Sequence, residues 1–137
     1  MDTQALLDRK LAYLMLRLIV GLDILMHGLV RLPHLSAFAD GVVTLFTETV
    51  LPASIVRPFA TGLVFAEMIV GLLVLAGLWT RWALLAGLLL MATLIFGTAL
   101  LSNWNTVAIQ LLYVAIYAAA LATREYNAYS VDALLQR

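Results

Sequence analysis

Residues 16–33 read LRLIVGLDILMHGLVRLP. The stretch is apolar enough to enter a bilayer, yet it carries Arg17, Asp23, His27 and Arg31. Charged groups at membrane depth are costly, and are kept where they pair with one another or line a functional pathway. Asp23, His27 and Arg31 fall at i, i+4 and i+8. Each step of four residues drifts only about 40° around a helix, so the three share one face. Arg17 joins the same sector, which is roughly 120° wide by that geometry. Leu18, Leu22, Leu25, Met26 and Leu29 take the other side. One face suits lipid and the other a polar interior, which predicts a spanning helix inside a bundle.

The composition around this stretch agrees. The chain has 137 residues, 64% hydrophobic and 12% charged, against about 25% charged in a soluble domain. By length it is expected to form a single membrane domain, 1–137. The formal net charge is zero, so nothing points to nucleic acid as a partner. The absence of cysteine removes disulfide exchange, thiolate metal sites and Fe–S ligation from the chain itself, along with the chemistry of vitamin K epoxide reductase-type membrane enzymes. With His27 and His34 the only histidines, no self-contained metal site is expected. The first apolar segment is too long for a signal-peptide core and lacks a small-residue cleavage pattern, so it reads as a retained span.

The fold class expected is an all-α membrane protein, a four-transmembrane-helix bundle. Its spans run from about 11–32, 56–78, 83–101 and 106–122, lengths that suit a hydrocarbon core of about 30 Å. Pro33 is expected to stop the first span, and Pro58 to sit in the first turn of the second. Between them, Phe38, Val42, Leu45, Phe46 and Val50 recur at near-helical spacing among polar residues. That pattern predicts a short amphipathic helix at the membrane surface or capping the bundle. Gly77 to Trp82 and Ser102 to Asn105 read as tight turns, and Ser130 to Leu135 as a surface turn of helix. Gly21, Gly28, Gly62, Gly71, Gly87 and Gly97 read as points of close helix approach. Arg9, Lys10, Arg81, Arg124 and Arg137 put five cations on the terminal side, against Arg31 and Arg57 on the other. Both termini are therefore expected in the cytoplasm.

The polar residues suggest how the spans meet. Glu67 sits at the middle of the second span and Asp23 at the middle of the first. Arg17 is about 9 Å below Asp23 along the axis and Arg31 about 12 Å above it. The expected arrangement pairs Arg17 with Glu67 or Asp23, as a charge pair or proton relay, and leaves Arg31 near the outer interface. Asp23, one turn below His27, could hold an N–H of its imidazole. Thr106, Gln110, Tyr113 and Tyr117 form one helical stripe on the fourth span. His27, Arg31, Glu67, Gln110 and Tyr113 are thus the candidate ligand-binding residues of an outward-opening pocket. The bland alternative is a polar seam that only fastens helices together.

The first span resembles the opening of the DoxX/DoxD family of small four-helix membrane proteins, in Arg17, Gly21, His27-Gly28 and Arg31-Leu32. Residues 65–91, FAEMIVGLLVLAGLWTRWALLAGLLLM, resemble that family's second-span glutamate, its Gly-Leu-x-Thr-Arg turn and its entry to the third span. The resemblance covers roughly residues 11–122 and implies four transmembrane helices in a bacterial or archaeal cytoplasmic membrane. It carries Arg17, His27 and Glu67 as functional candidates. One branch of that family is a subunit of a thiosulfate:quinone oxidoreductase.

Taken together, these readings give an expected membrane subunit or partner of a quinone-linked redox system, with a possible sulfur link. Any chemistry would belong to an oxidoreductase of which the chain is one part. No intrinsic cofactor is expected, and quinone is the candidate ligand. A quinone needs hydrogen-bond partners at its carbonyls and a proton route, which His27 with Gln110 or Tyr113, and Asp23 with Glu67, could supply. The expected partners are membrane lipid, a redox protein and a second copy of the chain. The alternatives are a non-catalytic anchor or assembly protein, docking through residues 36–50 or the tail, and a small-solute carrier, which the absence of an inverted repeat disfavours.

Overall fold

The computed structural model describes residues 2–136. Met1, and Arg137 of the terminal-side charge count, lie outside the described residues. The elements are α1 (Thr3–Arg31), α2 (Leu35–Leu45), α3 (Ala53–Ala76), α4 (Thr80–Leu100), α5 (Trp104–Ala122) and α6 (Val131–Leu135), with 3₁₀ turns at Leu32–His34 and Arg124–Tyr126. Among the described residues the regular structure is all helical. Four helical stretches are long and apolar enough to cross a membrane: Thr3–Leu45, Ala53–Ala76, Thr80–Leu100 and Trp104–Ala122. The protein is a multi-pass membrane protein. Ile19, Leu89 and Leu112 lie on its outer surface, where lipid can cover them.

α1 packs chiefly on α3, and α4 chiefly on α5; α3 also meets α4, and α2 lies against α3. The α1–α3 crossing is set by glycine. A Cβ on Gly21 would stand 2.5 Å from the Leu75 backbone nitrogen, and one on Gly71 would strike the backbone of Leu25. The two backbones approach this closely only because neither position carries a side chain. The contact also fixes the antiparallel register: Arg17 falls beside the C-terminal end of α3, and Arg31 beside its middle. Gly62 differs from the expectation, since nothing lies within 4 Å of where its Cβ would be. It faces out of the bundle.

α1 ends at Arg31, and Pro33 sits inside the Leu32–His34 turn, with α2 following at once. Two local readings change. α3 starts earlier than expected, with Pro52 at its N-cap. Pro58 therefore lies in the second turn and forfeits one backbone hydrogen bond. The Ser130–Leu135 turn is no free surface element. Its Asp132 carboxylate accepts from the backbone N–H groups of Trp79 and Thr80, both at 2.7 Å.

That last contact closes the α3–α4 turn. Gly77 adopts φ +67°, and Leu78 N–H donates to Leu73 C=O at 3.0 Å while Gly77 N–H donates to Val74 C=O at 3.1 Å. This is a Schellman cap, which needs a left-handed residue. Arg17 completes it. Its Nη1 donates to Val74 O (2.8 Å) and Leu75 O (2.5 Å), and its Nη2 to Tyr129 O (2.7 Å). A cation thus sits at the C-terminal end of α3 and an anion at the N-terminal end of α4, as the two helix dipoles favour. Asp132 N–H donates to Gly77 O at 2.9 Å, and Asn127 Nδ2 to Thr80 Oγ1 at 3.0 Å. Partial burial pushes the Asp132 carboxyl up. The Thr80 and Trp79 donors and the nearby Arg124 outweigh it and hold the group below the usual carboxylate range.

Candidate functional site

A cavity of about 740 Å³ lies between α1, α2, α3, α4 and α5. Its wall is mainly apolar: Ile24, Phe38, Val42, Phe46, Phe59, Leu63, Met91 and Ile109 are among its lining residues. Asp23, His27, Arg31, Glu67, Gln110 and Tyr113 line it too. The amphipathic helix expected from residues 38–50 is α2. It roofs the cavity, and its end reaches α4, where the Phe46 ring stands 3.3 Å from the position of a Cβ on Gly97.

The charges pair differently from the expectation. Glu67 is 2% exposed, and its partner is Arg31. Arg31 Nη1 donates to Glu67 Oε1 at 2.8 Å and to Oε2 at 2.6 Å. The guanidinium also stacks over Phe38 of α2, 4.8 Å from the ring centroid. Arg17 pairs with neither Glu67 nor Asp23; its N–H groups go to the backbone carbonyls at the end of α3 and in the tail. The cause is the glycine register, which separates the two arginines to opposite ends of the α1–α3 contact. Arg17 therefore leaves the set of charge-pairing and relay candidates.

His27 is held by its own helix. Its Nδ1 lies 2.9 Å from the Asp23 backbone oxygen and 3.6 Å from Asp23 Oδ2. A carbonyl can only accept, so Nδ1 carries the proton, and in the neutral ring Nε2 presents a lone pair. The carbonyl of Asp23, not the expected carboxylate, fixes the tautomer. Among the described residues no hydrogen bond reaches the Asp23 carboxylate, and its Oδ2 is sealed from solvent without a partner.

The α5 stripe divides. Gln110 accepts from the Thr98 hydroxyl at Oε1, 2.6 Å away, which leaves its Nε2 free to donate. Tyr113 lies beside Asp23. Tyr117 is fully buried in the core with its hydroxyl unpartnered, its ring filling the space that a side chain on Gly87 would take. Phe38 and Thr98 are site residues that the sequence reading did not select. Phe38 lies seven residues beyond Arg31, two helical turns, and Thr98 is one of the few polar residues of α4.

Chemically, the cavity is a greasy chamber with polar groups on two facing walls. It suits an amphipathic, lipid-soluble molecule. No group of three or more His, Cys, Asp or Glu that could hold a metal ion occurs among the described residues.

Comparison with known proteins overturns the DoxX/DoxD resemblance. The family model that matches is "Methylamine utilisation protein MauE", over residues 9–110. No curated protein and no solved structure matches the chain. The misleading motifs have structural jobs of a general kind. Gly21 permits the α1–α3 crossing, Arg31 neutralises Glu67, and Gly77 with Thr80 builds the α3–α4 turn. Residues with such tasks can suit more than one family of small helical membrane proteins. The thiosulfate expectation falls with the resemblance, as does the family support for Arg17, His27 and Glu67. With most of its length matched, this multi-pass membrane chain belongs to the family of the methylamine utilisation protein MauE.

Proposed function

We propose that the chain is a membrane-embedded partner of a redox system, of the kind methylamine utilisation would require, and that it holds a quinone-type ligand in the cavity between α1 and α5. The observation that carries the ligand reading is the cavity itself. It combines about 740 Å³ of mainly apolar space with His27, Gln110 and Tyr113, beside a neutralised Arg31–Glu67 pair. An isoprenoid or alkyl tail suits the apolar wall, and a ring with two oxygens suits the polar groups. A protein partner that exchanges electrons with the ligand is part of the proposal.

The proposal puts both termini on the cytoplasmic side of a cytoplasmic membrane, on the strength of the loop charges. Arg9, Lys10, Arg81 and Arg124 lie on that side. Of the two cations on the other, Arg31 is paired with Glu67 and Arg57 with Asp40, which sharpens the asymmetry.

The test is direct. The protein is purified in mild detergent, its lipid extract is analysed for quinone, and a short-chain quinone pair is titrated against wild type and His27→Ala. Co-purifying quinone, and at least about tenfold weaker binding of the reduced member of the pair by the variant, are expected. Undiminished binding by His27→Ala removes His27 from the site, and absence of binding by wild type removes the quinone reading.

A further inference from the structure

The two polar walls of the cavity differ in hydrogen-bonding sense. On α1, the His27 Nε2 lone pair and Asp23 Oδ2 accept no hydrogen bond among the described residues, with the Tyr113 hydroxyl beside Asp23 and His27 Nδ1 still 3.6 Å from Oδ2. Asp23 and His27 stand one helical turn apart, both on the cavity lining. The Arg31 Nη1 that could have answered them is committed to Glu67. On α5, the Thr98 hydroxyl already occupies Gln110 Oε1, so Gln110 Nε2 can donate.

A quinone has two carbonyl oxygens and only accepts. It can use the α5 wall, but it turns a lone pair toward the Asp23 carboxylate on the other. A hydroquinone has two O–H groups, each able to donate and accept. It satisfies both walls at once. We propose that the cavity selects the two-electron-reduced, hydroxyl-bearing form of its ligand over the oxidised form, with Asp23 and His27 as the specificity-determining acceptors. This rests on the quinone-type reading above.

An acceptor that the ligand covers without answering weakens binding about tenfold or more. Tenfold tighter binding of the reduced form raises the two-electron midpoint potential of the bound couple by about 30 mV.

The experiment uses the full chain in lipid nanodiscs with decylubiquinol and decylubiquinone as probes. The dissociation constant of each is measured, and the bound couple is titrated redoxometrically, for wild type, Asp23→Asn and His27→Gln. Wild type is expected to favour the quinol at least about tenfold, with the matching rise in potential. Each substitution brings an N–H donor into the α1 wall and is expected to shrink the preference while both forms still bind. Equal binding, or preference for the quinone, overturns the inference and leaves the ligand reading standing. A preference unchanged in both variants overturns the assignment to Asp23 and His27. Failure of wild type to bind either probe overturns the ligand reading, and the inference with it.

Discussion

Removing the positive partner of Glu67 should expose what the α1–α3 pair contributes. Glu67 is 2% exposed and receives both of its short contacts, 2.8 and 2.6 Å, from one arginine nitrogen. With charge centres taken as about 4 Å apart and an effective dielectric constant of about 20, the attraction is about 4 kcal/mol. Most of that offsets the cost of burying the carboxylate, so the intact pair contributes much less net stability. Breaking it by Arg31→Met strands a buried charge and should cost about 3–5 kcal/mol. The same change also removes the stacking on Phe38, which is worth about 0.5–2 kcal/mol. Glu67→Gln should cost less, because Arg31 borders the cavity and can turn toward it. The double variant should recover most of the loss, with a coupling of about 2 kcal/mol or more. Unfolding in mixed micelles, followed through Trp79, Trp82 and Trp104, measures all four proteins. A coupling near zero, with Arg31→Met as stable as wild type, would refute the pairing and the register that produces it.

Two further outcomes follow from the packing. Gly21→Ala should destabilise the bundle by about 1–3 kcal/mol, because its Cβ meets the Leu75 backbone at 2.5 Å, whereas Gly62→Ala should be neutral or gain up to about 1 kcal/mol; the same unfolding titration checks both. Asp132, held below its ordinary pKa by the donors of the α3–α4 turn, adds stability above the unfolded carboxylate value of about 3.9 and loses it as pH falls through its lower folded value. Acid should therefore loosen the tail, and Asp132→Asn should remove that pH dependence when protection of the Trp79 and Thr80 amides is followed by hydrogen exchange.

How much of this was legible beforehand depends on which physical quantity is asked for. Hydropathy and the i, i+4, i+8 spacing are local, and they led to four spans, an amphipathic α2, and Asp23, His27 and Arg31 on one helix face. Whether Glu67 meets Arg17 or Arg31 is not local. Both arginines lie within reach of the middle of α3 if that helix slides by two turns. The choice is made by which backbone atoms can touch, at Gly21 and Gly71, and the glycine positions in a sequence do not state a register. Gly62 shows why: a glycine on the outer face looks the same in a sequence. The tail was harder still. Nothing about Ser130-Val131-Asp132 marks it as the cap of a helix that begins some fifty residues earlier. The family resemblance failed for a related reason, since it was carried by residues whose tasks are packing and capping.

The closure of the α3–α4 turn also bears on biosynthesis. The backbone N–H groups of Trp79 and Thr80 wait for Asp132, which lies 53 and 52 residues further along the chain, and Arg17 completes its contacts only when Tyr129, 112 residues after it, arrives. The ribosome must therefore deliver α4, α5 and the tail before this corner can lock. Until then α1 and α3 are joined at the glycine crossing while the α3–α4 corner stays pliant, free to adjust as the last two helices enter the bilayer. The carboxyl-terminal residues act as the final fastening of assembly, and a nascent chain stopped short of Tyr129 would carry all four spans with that corner still open.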